Sequence, residues 1–494
     1  MKEKIIFITI SPDSITYREE SNSPQGNKLD KNDLDIRIIK IFHKVLNTAL
    51  PGDTTQIFDS ENFKTLGATL HKILLNFQND NFNFSNIHND IHKGKDVRCR
   101  IVLEFDKNVD GLAELPWEYL SHKDEFLFAY RETNFELIRK IQPTGIIQIP
   151  EYTDPSNHLN VILIIANPRV GNWNIDTKIV HQCFNDLKKK YGVKINVLYF
   201  PEQLDRKNFY KNFKDQLKSL RESAQNSREP YIVHFYGHAC IKDGKSCLVF
   251  PPSEENGNEP DFVSDEVFDN YFSGSADLPV LFVLQACSSG KIMDYKNEQG
   301  IALRLSSRRS IPAVLSMQND IKPTESTAFM KVFYEKLMAG HDVSSAVREG
   351  RTYMGNDYQL EQGNAPFKEN FFGSPILMLT SPMPPVLIKK EETPISNNQV
   401  NSALSSAVSM QKICINARRG NPGCKRPVAM DVSKCVWCQS TEFVPIDTPD
   451  TLQPLSTPTA EDRNISGERM TDNFRGEISG TETKSADASS QNRH

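Results

Sequence analysis

No stretch of this sequence stays apolar for long. The longest strand-sized runs, such as 161–166 and 280–284, fall well short of the ~18 to 20 residues that a membrane helix needs, so no spanning segment is expected. The opening Met1-Lys2-Glu3-Lys4 leads into an apolar run, 5–10, too short for the core of a signal peptide and with no small-residue cleavage site behind it. Secretion is not implied, and the cytoplasm is the expected compartment. Positive charge is not in excess either: 58 Lys and Arg stand against 63 Asp and Glu, a net charge of -5 that offers no broad attraction to nucleic acid or anionic lipid. Closely paired cysteines are nearly missing. Nine are scattered singly except for a C-terminal group, which argues against a disulfide framework and for reduced thiols, metal ligands or a nucleophile. A repeat with a period of ~20–50 residues is also lacking, so no solenoid is encoded.

What is present is a soluble globular composition, 38% hydrophobic and 24% charged, spread over 494 residues, more than one core usually serves. A strand is expected at 4–10, then helices whose apolar residues recur three and four apart at Leu34, Ile38, Ile41, Phe42, Val45 and Leu46, and at Phe63, Leu66, Leu70, Ile73, Leu74 and Phe77. Asp59 or Ser60 caps the second. A strand at 100–105 leads into Leu115-Pro116-Trp117-Glu118, where a proline and a large aromatic predict a fixed, packed turn with Trp117 as core support. Residues 1–157 are read as one supporting lobe. From 158 to 380, strands at 161–166, 193–200, 231–236, 280–284 and 313–317 alternate with helices at about 176–190, 207–222, 324–340 and 342–355. Continuous apolar strands alternating with helices predict an α/β fold, a mostly parallel central sheet covered on both faces, with function at the carboxyl ends of the strands. A Ser, Asn and Lys-rich linker follows at 381–410, then a small cysteine-containing module at 411–445. The last stretch, 446–494, has almost no aromatics and is read as a disordered tail.

Two strand ends break into small residues beside a reactive side chain. In Tyr231-Ile232-Val233-His234-Phe235-Tyr236-Gly237-His238-Ala239, Gly237 frees the backbone to turn and delivers His238 just past the strand. In Leu284-Gln285-Ala286-Cys287-Ser288-Ser289-Gly290, a cysteine follows a buried strand and precedes a hydroxyl-rich segment fit to start a helix or a nest of backbone N–H groups; either lowers a thiol pKa and supplies oxyanion donors. A thiol of ordinary pKa ~8.5 is only a few per cent ionised at neutral pH, so an imidazole is its usual activator, and His238 stands 49 residues before Cys287. His234 is read as packed below His238, and Cys240 and Cys247 as structural thiols.

These residues resemble the CHAT domains, caspase-fold peptidases related to separases and metacaspases. The resemblance rests on Leu115 to Glu118, His234 to His238 and Leu284 to Gly290. It continues through Ile311-Pro312-Ala313-Val314, the helical stretch with Phe333-Tyr334, and the closing Phe372-Gly373-Ser374-Pro375, so that it spans residues 1–380. It implies a caspase-like fold and a cysteine endopeptidase with His238 as general base and Cys287 as nucleophile. Its oxyanion hole would be the backbone N–H groups of Cys287 and Ala239. Many relatives carry glycine after the histidine, and Ala239 fits only where the backbone does not need a positive φ. Gln285 resembles the caspase glutamine that lines the pocket for the residue before the cleaved bond. The acid that gives metacaspases a basic preference would have to come from elsewhere, with Asp320 the candidate. The resemblance further implies a protein substrate, an activating protein partner and a role in prokaryotic signalling or defence, with no cofactor in the chemistry. The competing reading is an inactive scaffold with the same fold.

Past the linker, Cys414, Cys424, Cys435 and Cys438 are candidate ligands for a structural zinc, although only the last two form a close pair. Arg418, Arg419, Lys425 and Arg426 lie among them; nucleic-acid binding through this basic cluster is the least favoured reading.

Overall fold

In the computed structural model, the described residues run with breaks from Lys2 to Lys389 and beyond that cover only Gln411–Cys414, Pro427–Ala429 and Phe443–Pro445. The breaks include 29–59, 145–153 and, but for isolated positions, 200–229; the helix expected at 34–46 lies outside the described residues, and of the one expected at 207–222 only isolated positions such as Lys218 and Ser219 are described, as helical. The chain divides into two units, Met1–Thr393 and Pro394–His494.

In chain order the strands of the first unit are β1 (Lys2–Ile10), β2 (Ser14–Glu19), β3 (Gln25–Lys28), β4 (Gln78–Asn79), β5 (Phe82–Asn83), β6 (Val97–Phe105), β7 (Ser121–His122), β8 (Glu125–Phe126) and β9 (Phe135–Lys140). They continue with β10 (Leu159–Ala166), β11 (Ile195–Tyr199), β12 (Tyr231–Lys242), β13 (Lys245–Phe250), β14 (Asp261–Ser264), β15 (Leu281–Gln285), β16 (Ala313–Met317) and β17 (Pro375–Leu379). One large sheet runs β11-β10-β12-β15-β16-β17-β9-β6-β1-β2-β3, with β13 and β14 hung off β12. Strands β11 to β16 are parallel, β17 reverses against β16, and β17, β9, β6 and β1 are parallel again. The sheet therefore passes without a gap through the boundary expected at 157/158. Four of its strands, Leu-Asn-Val-Ile-Leu-Ile-Ile-Ala, Leu-Phe-Val-Leu-Gln, Ala-Val-Leu-Ser-Met and Pro-Ile-Leu-Met-Leu, are buried at every position, as strands covered on both faces must be.

Adjacent residues of β12 show that cover. His234 meets Phe184 of the helix Thr177–Tyr191 and Tyr334 of the helix Pro323–Met338, whereas Phe235, pointing the opposite way, meets Phe268 of the helix Asp265–Asn270. In the N-terminal part, Phe63, Leu66, Leu70 and Leu74 of the helix Ser60–Leu75 are buried, and Trp117 is fully enclosed with its indole N–H given to the Leu112 carbonyl at 3.0 Å.

Charge ties the halves together. Asp342 caps the helix Val343–Gly355 by accepting from the Ser345 amide at 2.9 Å, and it also meets Arg98 at 2.9 Å and Arg100 at 3.3 Å on β6. Burial alone would raise the Asp342 carboxyl, but the two guanidiniums hold it below the usual range. The segment expected to open the linker also packs on this unit: Val386 bridges to Asp342, Ile388 bridges to Ser156, and Leu387 and Ile388 are buried. Leu387 and Ile388, the buried end of the apolar run Val386-Leu387-Ile388, account for the docking. In the second unit, β18 (Gln411–Cys414) sits between β19 (Pro427–Ala429) and β20 (Phe443–Pro445), antiparallel to both.

Candidate active site

Strands β12 and β15 are parallel neighbours whose register ends at Tyr236↔Gln285. His238 and Cys287 each follow that last rung by two residues, His238 still within β12 and Cys287 in the turn that leaves β15, so both lie at the carboxyl ends of neighbouring strands. Within β12, His234, Tyr236 and His238 share a face, and the 3.0 Å contact of His234 Nε2 with Gln285 Oε1 puts the Gln285 side chain on that face too. Ionised, Cys287 would raise the phenol of Tyr236, the residue two before His238, so the sulfur lies within electrostatic reach of that phenol.

The backbone does not turn at Gly237. Strand β12 carries on to Lys242, and His238 pairs with Val249 of β13. Gly237 is needed for space: a Cβ there would come within 2.8 Å of the Phe235 ring and 3.0 Å of the Ala166 carbonyl. Ala239 sits in the same ladder opposite Leu248 in ordinary extended backbone, so its side chain imposes no strain. The His238 ring stands edge-on to Trp173, with centroids 5.5 Å apart, and Trp173 stands edge-on to Phe262 at 5.5 Å. Burial lowers the imidazole below its ordinary pKa, and a hydrogen bond to the Trp173 main chain partly offsets this. His238 Nε2 is buried without a hydrogen-bond partner, so the Trp173 bond falls on Nδ1 and leaves Nε2 open to accept a proton. Trp173 was not singled out by sequence; it lies in a polar loop after β10 with nothing to mark it.

Cys287 opens a tight turn, not a helix. Ser288 holds a left-handed backbone at φ 54°, a cost of about 1 kcal/mol for a residue with a Cβ. Its amide points to the Asn319 carbonyl at 3.4 Å and its hydroxyl donates to Asp320 at 3.1 Å. The Ser289 amide goes to the Ala286 carbonyl and the Gly290 amide to the Met317 carbonyl, at 3.2 and 2.7 Å. The Cys287 amide faces its own sulfur, and the thiol meets the Ile321 carbonyl at 3.5 Å. Burial, with the Asp320 carboxylate adding to it, pushes the Cys287 thiol up to about 11.

The loop after β16 that holds this turn is anchored from the N-terminal part of the chain. Glu118 accepts from Arg139 at 3.0 and 2.5 Å and from Gln318 at 3.0 Å, and Arg139 also donates to the Ala113 and Leu115 carbonyls. Next in sequence, Tyr119 accepts from Asn319 at 3.1 Å, whose carbonyl receives the Ser288 amide. Leu115-Pro116-Trp117-Glu118 thus supports the nucleophile turn through two residues of one loop.

A sequence model of the CHAT domain matches residues 64–377, well over half of the chain. The chain belongs to the CHAT domain family. The gingipain RgpB pro- and mature-domain complex of Porphyromonas gingivalis is 12% identical over 79% of this CHAT chain and 80% of that one, with a TM-score of 0.38. The Saccharomyces cerevisiae separase of the separase–securin complex is 11% identical over 76% of this chain and 30% of its own, with a TM-score of 0.41. The Drosophila initiator caspase Dronc is 9% identical over 51% of this chain and 95% of its own, with a TM-score of 0.26. Likeness this distant says nothing about individual residues. The curated proteins hold no significant match.

Gln285 of the CHAT domain does not line a pocket. It is 2% exposed, its carbonyl contacts His234, and its amide donates to Ser326 and Thr327, both at 2.9 Å. Every polar atom is engaged inside the protein, so it positions the strand end against the helix Pro323–Met338 and has no group to offer a substrate. The fully buried His234, bonded also to Tyr334 at 2.9 Å, belongs to the same internal network. Asp320, by contrast, is exposed beside the Cys287 turn. Cys414 ends β18, while Cys424, Cys435 and Cys438 lie outside the described residues. Among the described residues, no cluster of His, Cys, Asp and Glu fits a metal ion, and no helix is long and apolar enough to cross a membrane.

Proposed function

We propose that this CHAT protein is a cysteine endopeptidase in which His238 is the base and Cys287 the nucleophile. The matching two-residue overhang of both side chains beyond the Tyr236↔Gln285 rung carries this reading. The sulfur attacks a peptide carbonyl while His238 Nε2 takes the thiol proton; the Trp173 main chain, bonded to the far side of the ring, orients it. The resulting oxyanion is received by the Cys287 amide together with that of Ala239. Collapse breaks the C–N bond, His238 hands its proton to the leaving amine, and water activated by the same imidazole hydrolyses the thioester. The steps use only thiol, imidazole and backbone N–H groups.

A thiol pushed up to about 11 beside a lowered imidazole describes a resting enzyme. Binding of a protein partner or of the substrate itself is the step that brings the pair into action, in keeping with a switched effector of prokaryotic signalling or defence. Asp320 supports a basic residue before the cut. An electrophilic peptide probe should label Cys287, and Cys287→Ala and His238→Ala should each abolish cleavage. The same high thiol pKa favours the second reading, an inactive scaffold. A scaffold keeps partner binding in both variants and leaves Cys287 unlabelled even with partner bound.

A further inference from the structure

We propose that Cys240 and Cys247 close a reversible disulfide across the β12–β13 hairpin, an oxidation site separate from Cys287. The two residues face each other directly in the antiparallel register, two rungs beyond His238↔Val249. Directly opposed residues have Cα atoms about 4.5–5.5 Å apart, within the ~4.4–6.8 Å that a disulfide spans. That register is fixed by the turn: Asp243 and Gly244 connect the strands with φ 51° and 73°, the two-residue reverse turn that matches strand twist, so a slip that would separate the sulfurs is disfavoured.

Both thiols are free, and a charge on Cys247 raises the Cys240 thiol, itself pushed up to about 11 mainly by burial. Access differs. Cys240 is half-buried, and Cys247, though 4% exposed, lines a cavity of about 360 Å³ with Lys242, Asp243, Lys245, Glu259 and Phe262. Two ammonium and two carboxylate groups at that cavity can pair with the carboxylates and α-ammonium groups of a small-molecule disulfide of the oxidised-glutathione type, the oxidant proposed. Cys240 thiolate attacks one of its sulfurs and expels one small thiol. Cys247 then loses its proton, attacks the Cys240 sulfur and expels the second. Two protein thiols are oxidised and one small disulfide is reduced to two thiols. The cross-link holds the part of β12 that presents His238 in its register.

The test uses the full chain incubated with oxidised glutathione, quenched with N-ethylmaleimide and digested with trypsin. Residues 229–242 and 246–291 should be recovered as one linked species, separated by dithiothreitol. Because 246–291 also contains Cys287, the digest is repeated in Cys287→Ala, where the link should persist, and in Cys247→Ser, where it should vanish. The rate should climb about tenfold per pH unit between about 7 and 10, following the thiolate fraction. Loss of the link in Cys287→Ala overturns the proposal, as does recovery of Cys240 and Cys247 as alkylated thiols after exhaustive oxidation at about pH 9.

Discussion

In the resting protein Cys287 should react slowly with iodoacetamide at neutral pH, and the expected rate follows from where burial and Asp320 put its thiol. With a pKa of about 11, roughly one molecule in ten thousand carries a thiolate at pH 7, against about three in a hundred for an unperturbed cysteine. Carboxamidomethylation should therefore run roughly 300-fold slower than that of a small thiol, rise about tenfold per pH unit, and level off only near pH 11. The imidazole is lowered by burial and neutral at pH 7, so His238→Ala should leave this midpoint where it was; an ion pair would instead make the midpoint climb on removal of the histidine. Asp320→Asn should bring the midpoint down, because it removes a negative charge that opposes the thiolate. Rates are read between pH 6 and 11 in folded Cys247→Ser protein, where Cys287 is the one cysteine of the modified 246–291 peptide. A plateau already reached by about pH 8 would refute the account of a neutral resting thiol.

Glu118→Ala leaves the Arg139 guanidinium buried without its carboxylate and should cost about 3–5 kcal/mol, whereas Glu118→Gln, which keeps hydrogen-bonding capacity, should cost less; equal denaturation midpoints for the two would contradict the ion-pair account. Gly290→Ala should destabilise by about 1–3 kcal/mol and alter Cys287 labelling, since the new Cβ would sit 2.6 Å from Ser316 Oγ and 2.7 Å from Ile376 Cδ1; an unchanged melting curve argues against the packing described. His234 is folded as a neutral ring with its pKa pushed down by burial to about 3, so the unfolded chain binds the proton more readily. Stability should be fully present above pH ~6.5 and fall as pH drops from there toward 3, and the thermal midpoint of His234→Gln should depend less steeply on pH over that range.

Much of this architecture was legible from apolar runs. Strands expected at 161–166, 280–284 and 313–317 appear within two residues of those bounds, and the one expected at 231–236 starts at Tyr231 but runs on to Lys242, because a strand buried on both faces needs little but Val, Ile, Leu and Phe. Strand β9 was hidden for the converse reason. Phe-Glu-Leu-Ile-Arg-Lys reads as a surface, yet Glu136 and Arg139 are each 1% exposed and neutralised by residues distant in sequence. Strand β17 is only Pro-Ile-Leu-Met-Leu, too short for its period to distinguish strand from helix. At the site, His238 and Cys287 were marked by small residues at strand ends. The fate of Gln285 was not, because nothing local reveals that His234, Ser326 and Thr327 use up its carboxamide. Trp173 escaped because a main-chain acceptor leaves no trace in side-chain identity.

The junction of β17 with β9 bears on any attempt to shorten this protein. Only two residue pairs, Met378↔Arg139 and Leu379↔Lys140, join the strands there, yet they turn what would be an outer edge into an interior one. A fragment starting near residue 158 would keep His238 and Cys287 but lose Glu118 and Arg139, and it would present five consecutive apolar residues of β17 as an open edge, a template for pairing with other copies of itself. The residues ahead of position 158 thus cover the β17 edge and anchor the nucleophile turn, and a shortened chain that keeps both includes them.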